Sequence, residues 1–403
     1  MAVANTLDES TIGALQARVG IPRRSKGGPG HIDVVTSDSF RHFARAYGDD
    51  NPLYSDPAHA AASVWSGSIG PPLFVAIAGR SAPVAWTDEQ TAAMAGGDPL
   101  AGMGQVLCGD RWILLRPIRP GAEIRRTQCL DAAELRSSTF GGGAGALVSH
   151  RVEMRVDGEL VGLRFLDFWH TERSGSREAG VNRTVARAPY SAADLAELDR
   201  LYESETVRGR TPRTIDGVEV GEQLGPIAKG PLTLTEMFGY QGVIGFGSLG
   251  GGASKLAYKN RRRVPKLYDT NSLGIPDTAQ RCHWDAEGAQ DLGHPAPYDY
   301  GQMRASWMVH LLTNWMGDGG WLWRLSTSIE KFNYVGDSHR ISGRVTATRP
   351  DRNQVDVEVE GTNQRGEITC RATATVVLPA RPDEPAAAPE FRDEHVPEPI
   401  GPR

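Results

Sequence analysis

The chain lacks what would tie it to a membrane, an oxidising compartment or a nucleic acid. Among its 403 residues there is no apolar run of membrane-spanning length. The N-terminus, MAVANTLDES, has neither the basic flank nor the apolar stretch of a secretory signal. A cytoplasmic location with no membrane partner is therefore the expectation. Cysteine is scarce: Cys108, Cys129, Cys282 and Cys370 are widely spaced and form no CxxC pair, which reads as reduced structural thiols. Positive charge is not in excess either, with 44 Lys and Arg against 49 Asp and Glu and a formal net charge of −5, so a general nucleic-acid surface is not expected. What remains is the composition of a globular protein, 39% hydrophobic and 23% charged, with room for two ordinary domains.

The two domains announce themselves through a repeat. Tyr54-Ser55-Asp56 with Ala60 returns as His283-Trp284-Asp285 with Ala289, and 283−54, 285−56 and 289−60 all give 229. Both copies fit [Tyr/His]-x-Asp-x-x-x-Ala, but an imidazole has replaced a phenol. Only the imidazole exchanges protons near neutral pH, so the second copy is the expected home of chemistry.

Polar stretches then divide the chain into an N-terminal extension (1–30), a first domain (31–172), a linker (173–213), a second domain (214–379) and a flexible tail (380–403). SAADLAELDRLYESE predicts a short helix within the linker. SDSFRHFARAYGDD predicts a helix capped by Ser37 or Asp38 with Phe40, Phe43, Ala44 and Tyr47 on one side. Asp56-Pro57 predicts the start of a second, short helix. Strands follow from Trp112, with a hairpin turn at Asp157-Gly158. In the second half Gly301 to Leu325 carries Met303, Trp307, Leu311, Leu312, Trp315 and Met316 at helical spacing, and strands follow again. The long strands after each helix predict an α+β fold, an antiparallel sheet wrapped over a helix.

At this point the residues resemble a family. GDDNPLYSD and the following WSGSIGPPLF are similar to the N-terminal domain of MaoC-like dehydratases, the type 2 or (R)-specific enoyl-CoA hydratases, and the second half resembles them more weakly. The resemblance implies a double hot-dog fold, two antiparallel sheets each wrapped around a long central helix. It implies a 2-enoyl or 3-hydroxyacyl thioester substrate, on coenzyme A or an acyl carrier protein, to which water is added or from which it is removed. It also implies no cofactor, no metal, and a homodimer or higher homo-oligomer.

The family motif, Asp-x-Asn-Pro-x-His-x-Asp, places an Asp and a His to move the protons of water, while a downstream glycine N–H holds the thioester oxygen. In the first half Asp49, Asn51 and Pro52 match, but Tyr54 stands at the His position and Pro72, which has no N–H, at the donor position. The second half supplies His283 as acid/base and Gly301, 301−285 = 16 residues past Asp285, as donor. Thr278 falls where the family has Asp, leaving Asp277 as the expected partner of His283. Asp56 and Asp285 are expected to cap helices. Tyr298, Asp299, Tyr300 and Arg304 are candidates for positioning the acyl group, along with Asp49, Asn51 and Tyr54. Lys259, Arg261, Arg262, Arg263 and Lys266 are candidates for contacting coenzyme A or a carrier protein. The glycine-rich GFGSLGGGAS predicts a flap beside the substrate, and Trp307, Trp315, Trp321 and Trp323 read as core. Rival functions on the same fold are a cyclase adding a substrate hydroxyl, a thioesterase, and a non-catalytic subunit of a heteromeric hydratase.

Overall fold

The computed structural model describes residues 7–28, 30–138, 143–172, 185, 188–245 and 252–402. Most of the linker's first stretch and the middle of the glycine-rich stretch, where a flap was expected, lie outside them. In chain order the helices are α1 (Glu9–Gln16), α2 (Ser37–Ala46), α3 (Pro52–Ser55), α4 (Pro57–Ala61), α5 (Asp88–Ala93), α6 (Ala192–Ser204), α7 (Leu234–Ile244), α8 (Lys255–Arg263), α9 (Ala286–Asp291) and α10 (Gly301–Met316). The strands are β1 (Arg80–Ser81), β2 (Gly104–Leu114), β3 (Ile124–Ser138), β4 (Gly143–Val156), β5 (Glu159–Thr171), β6 (Gln223–Lys229), β7 (Tyr268–Thr270), β8 (Pro276–Thr278), β9 (Trp321–Ile329), β10 (His339–Arg349), β11 (Gln354–Asn363) and β12 (Ile368–Val377).

Ten strands form one sheet in the order β1-β3-β4-β5-β2-β9-β12-β11-β10-β6, antiparallel except at the β1–β3 edge. The two halves join where β2 pairs β9, from Gly109 opposite Ser328 to Ile113 opposite Arg324. The separate sheets implied by the resemblance are thus fused edge to edge. The hairpin turn at Asp157-Gly158 is present, both residues taking positive φ between β4 and β5.

The sheet wraps α10, whose residues Met303 to Met316 are all buried. A helix buried all round has to satisfy its polar groups within the protein, and α10 does so in part: Thr313 Oγ1 donates to the Val309 carbonyl and Asn314 Nδ2 donates to Glu205, while Trp307 Nε1 and His310 Nε2 make no hydrogen bond. The tryptophans at 307, 315, 321 and 323 are core residues, as expected. The first half differs. At the place equivalent to α10 stands only a 3₁₀ helix, Pro72–Ala76, against which Phe40 and Phe43 of α2 pack edge-on at ring distances of 4.8 and 5.9 Å.

The repeat is structural as well as sequential. Asp56 caps α4 and Asp285 caps α9, whose starts are 286−57 = 229 residues apart, and the 3₁₀ helix and α10 start 301−72 = 229 apart. The preceding helices α2 and α7 start only 234−37 = 197 apart. The second half therefore carries 229−197 = 32 extra residues ahead of the His283 motif, and these hold the basic helix α8 and the β7–β8 hairpin.

The tail does not behave as its composition suggested. Ala386, Phe391 and Val396 pack on the core, and His395 stacks edge-on against Trp323 at 4.9 Å. Arg111 donates to the Pro397 carbonyl, while Ile400 N–H donates to Asp167 Oδ2 at 3.0 Å. A few apolar contacts and buried polar partners on β2 and β5 anchor what prolines and charges alone would leave loose.

Candidate functional site

The second-half candidates His283, Tyr298, Tyr300 and Gly301 come together around the start of α10. Tyr300, its N-cap residue, gives it no side-chain hydrogen bond, so the helix presents its N-terminal end without a side-chain cap from that residue. Gly301 follows, and a Cβ there would lie 3.1 Å from Leu107 Cδ2 and 3.6 Å from Ile329 Cγ1. The backbone thus approaches β2 and β9 closely.

His283 ends a 3₁₀ helix, Ala279–His283, immediately before the Asp285 cap. Its ring stacks on Tyr300 with centroids 4.1 Å apart and meets Tyr298 edge-on at 4.9 Å. Its Nδ1 lies 2.8 Å from the Tyr298 carbonyl. A carbonyl only accepts, so Nδ1 carries the hydrogen and Nε2 presents a lone pair. Burial pushes the imidazole's pKa down, so it is neutral at neutral pH, the form a general base requires. The Tyr300 hydroxyl is buried without a protein partner, and burial raises its pKa too.

Several sequence candidates fall elsewhere. Asp277 was expected to partner His283, but its carboxylate instead takes the N–H of Thr278 at 2.7 Å. It sits in the middle of β8 in the inserted hairpin, opposite Asp269. The Tyr298 carbonyl has its role, and a backbone acceptor leaves no mark in a sequence. Asp299 and Arg304 were expected to hold substrate. They are 3% and 1% exposed and grip each other through two hydrogen bonds of 2.7 and 2.8 Å. Arg304 also donates to the carbonyls of Lys331 and Thr369, and Asn333 donates to Asp299 at 2.9 Å. With four of the guanidinium's hydrogen bonds made inside the protein, the pair clasps the first turn of α10 to the sheet. Tyr298 backs the histidine, its hydroxyl 3.4 Å from Cys282 Sγ.

The first-half candidates are buried in local duties. Asp49 Oδ1 accepts from Asn51 N–H at 2.9 Å, Tyr47 donates to Oδ2 at 3.1 Å, and Asn51 caps α3 through Leu53 N–H at 3.0 Å. Tyr54 lines a small cavity with Asn51, Pro72, Thr313 and Asp318. Asp56 and Asp285 cap helices, as their placement before α4 and α9 predicted. The basic run lies on α8 and just beyond; Lys259, Arg262, Arg263 and Lys266 are exposed and Arg261 half-buried. Two histidines escaped sequence reasoning. His294 stacks on Tyr298 at 4.6 Å beside His283, and burial lowers its pKa to about 4. His310 is taken up below. Neither coincides with a repeat or motif position, which was the signal that picked out His283.

Comparison with known proteins fits this fold. Residues 29–164 match the family model described as the FAS1-like dehydratase domain region. No curated protein matches the chain in sequence. A solved structure called a MaoC-like dehydratase superposes with a TM-score of 0.59 at 18% identity, over 91% of this chain and all of the other. A putative MaoC domain protein dehydratase from Chloroflexus aurantiacus gives 0.51 at 14% identity, over 89% and 96%.

The chain has the MaoC-like double hot-dog fold. Within that fold the family-model match falls on the half that has Tyr54 and Pro72 where the other half has His283 and Gly301. The half with the long central helix carries both. No helix among the described residues is long and apolar enough to cross a membrane.

Proposed function

We propose that this MaoC-like protein is a hydratase or dehydratase of 2-enoyl and 3-hydroxyacyl thioesters, working in its second half. The observation that carries the reading is the pairing of a half-buried, neutral His283, its Nε2 unprotonated, with the glycine-started N-terminus of α10 beside it. In hydration, Nε2 takes a proton from water as the oxygen bonds to C3 of the enoyl group. The negative charge gathers on the thioester oxygen, and the Gly301 N–H together with the positive end of α10 stabilises it. The imidazolium then returns its proton to C2, so that one water is added and the enzyme is restored. Dehydration runs the same steps backwards. The Tyr298 carbonyl holds the imidazole in the required tautomer, and Tyr300 forms one wall of the site. The exposed cations of α8, on the inserted segment, suit the phosphates of coenzyme A or the acid face of a carrier protein. A cytoplasmic homo-oligomer is the setting that this reading favours.

Incubation with crotonyl-CoA, followed by mass spectrometry of the intact thioester, tests the reaction class. A product heavier by one water supports the proposal. Free thiol would establish a thioesterase, and a ring formed from a hydroxylated substrate a cyclase. Turnover only after a second protein is added would make the chain a subunit.

A further inference from the structure

A second polar cluster, which the proposed reaction does not use, lies where the two halves meet, its core buried and one edge open to solvent. The C-terminal end of α2 brings Tyr47, Asp49 and Asp50, the residue after α6 is Glu205, β6 ends in Lys229, and α10 contributes His310 and Asn314 from its middle. Lys229 donates to the Tyr47 carbonyl at 2.9 Å, and its Nζ lies 2.6 Å from His310 Nδ1. Asn314 Nδ2 donates to Glu205 Oε1 at 3.0 Å. On the other side of the imidazole, Nε2 stands 2.8 Å from Glu205 Oε1 and 3.7 Å from Asp49 Oδ1. The geometry is close, but it is not that of a directed hydrogen bond, so Nε2 is left without one although His310 is only 1% exposed. Donor atoms of Asp50, Glu205 and His310 lie within 4.8 Å of one another.

This arrangement is costly as it stands. A hydrogen on Nε2 has no acceptor in line, and a lone pair on Nε2 would face carboxylate oxygens in a buried setting. Three carboxylates, those of Asp49, Asp50 and Glu205, gather around one ammonium, that of Lys229. A cation between Nε2 and the carboxylates relieves both problems.

We propose that Asp50, Glu205 and His310 bind one divalent transition cation of the zinc class. One imidazole nitrogen with two carboxylates suits Zn²⁺ or Co²⁺ better than the all-oxygen surroundings preferred by Ca²⁺ and Mg²⁺. Asp50 is exposed and gives an entry path. Asp49 is held by Tyr47 and Asn51 and stays in the outer shell, as does Asn314 through Glu205. When the cation binds Nε2, any hydrogen there is released to solvent and the Lys229 ammonium passes one proton to Nδ1, so that Nδ1–H then donates to the neutral amine. The site joins the first domain, the linker helix and the central helix of the second, so its role is to lock the halves together.

The test is calorimetric titration of chelator-treated full-length protein with Zn²⁺, with Co²⁺ absorption reporting the ligand set and a thermal melt reporting the lock. One ion per chain is expected, with a higher melting midpoint when it is bound. Glu205→Gln should weaken binding at least tenfold and alter the Co²⁺ spectrum. His310→Ala removes a buried side chain and could unfold the protein. Asp50→Asn, at an exposed position, therefore serves as the variant that keeps the fold, and it too should weaken binding. No binding by the wild type, or binding as strong as wild type in Asp50→Asn and Glu205→Gln, would overturn the proposal.

Discussion

Gly301→Pro separates the oxyanion donor from the fold. Proline is well tolerated at the first position of a helix, where the N–H has no intrahelical partner, and Gly301 is that position of α10. The preceding residue must be extended, and Tyr300 has φ −83° and ψ 124°. The nearest obstacles are side-chain ends: Leu107 Cδ2 at 3.1 Å and Ile329 Cγ1 at 3.6 Å from a Cβ, so Leu107 has to give by a few tenths of an ångström. The first half already begins its equivalent 3₁₀ helix with Pro72. The fold should survive, while the hydrogen bond to the developing oxyanion is lost. Loss of one such donor is worth about 3–4 kcal/mol, or roughly 10²–10³ in kcat. Gly301→Ala keeps the N–H and presses on the same leucine, so it should retain most of the activity. The assay is the fall in enoyl-thioester absorbance under saturating crotonyl-CoA, with a circular-dichroism melt of each variant. Full kcat in Gly301→Pro would refute the assignment; equal losses in both variants would place the effect in packing against Leu107.

Three further outcomes follow from the same geometry. Asp277→Asn should leave kcat/KM unchanged, because Tyr298 rather than Asp277 orients His283; a large loss would restore the carboxylate to the mechanism. Asp299→Ala strands the buried Arg304 guanidinium and should cost about 3–5 kcal/mol in urea unfolding, whereas a change near zero would show that the clasp carries no load. Burial lowers the pKa of His170, His294 and His339 to about 4, below the ordinary 6.5. The unfolded chain then binds more protons than the folded one between those values, so the stability present above pH 6.5 should fall as pH drops towards 4. The slope is up to about 1.4 kcal/mol per pH unit for each group, and urea midpoints that stay flat over this window would contradict it.

The features legible in the sequence were those set by spacing. A constant offset of 229 linked Asp56 to Asp285 and Pro72 to Gly301, and these pairs cap or begin equivalent helices. The offset also singled out His283, since chance rarely places a histidine on both a repeat and a motif. What stayed hidden depended on partners distant in sequence or on the backbone. Asp299 and Arg304 looked like substrate contacts because charge near a motif suggests function, and only their burial against Thr369 and Lys331 shows a clasp. The partner of His283 is a carbonyl, which every residue has. The tail's anchoring rests on Arg111 and Asp167, more than 200 residues upstream. The fusion of two sheets into one was invisible because strand periodicity says which face is buried, not which edge is paired.

The central claim is that water addition occurs at His283 and not at the tyrosine-bearing motif of the first half. Initial rates of crotonyl-CoA hydration by wild type and His283→Ala, at matched folded concentration, test it most directly. The account predicts a loss of about 10²–10⁴-fold, the usual worth of a general acid–base, with Tyr54→Phe close to wild type. A wild-type rate in His283→Ala would contradict it.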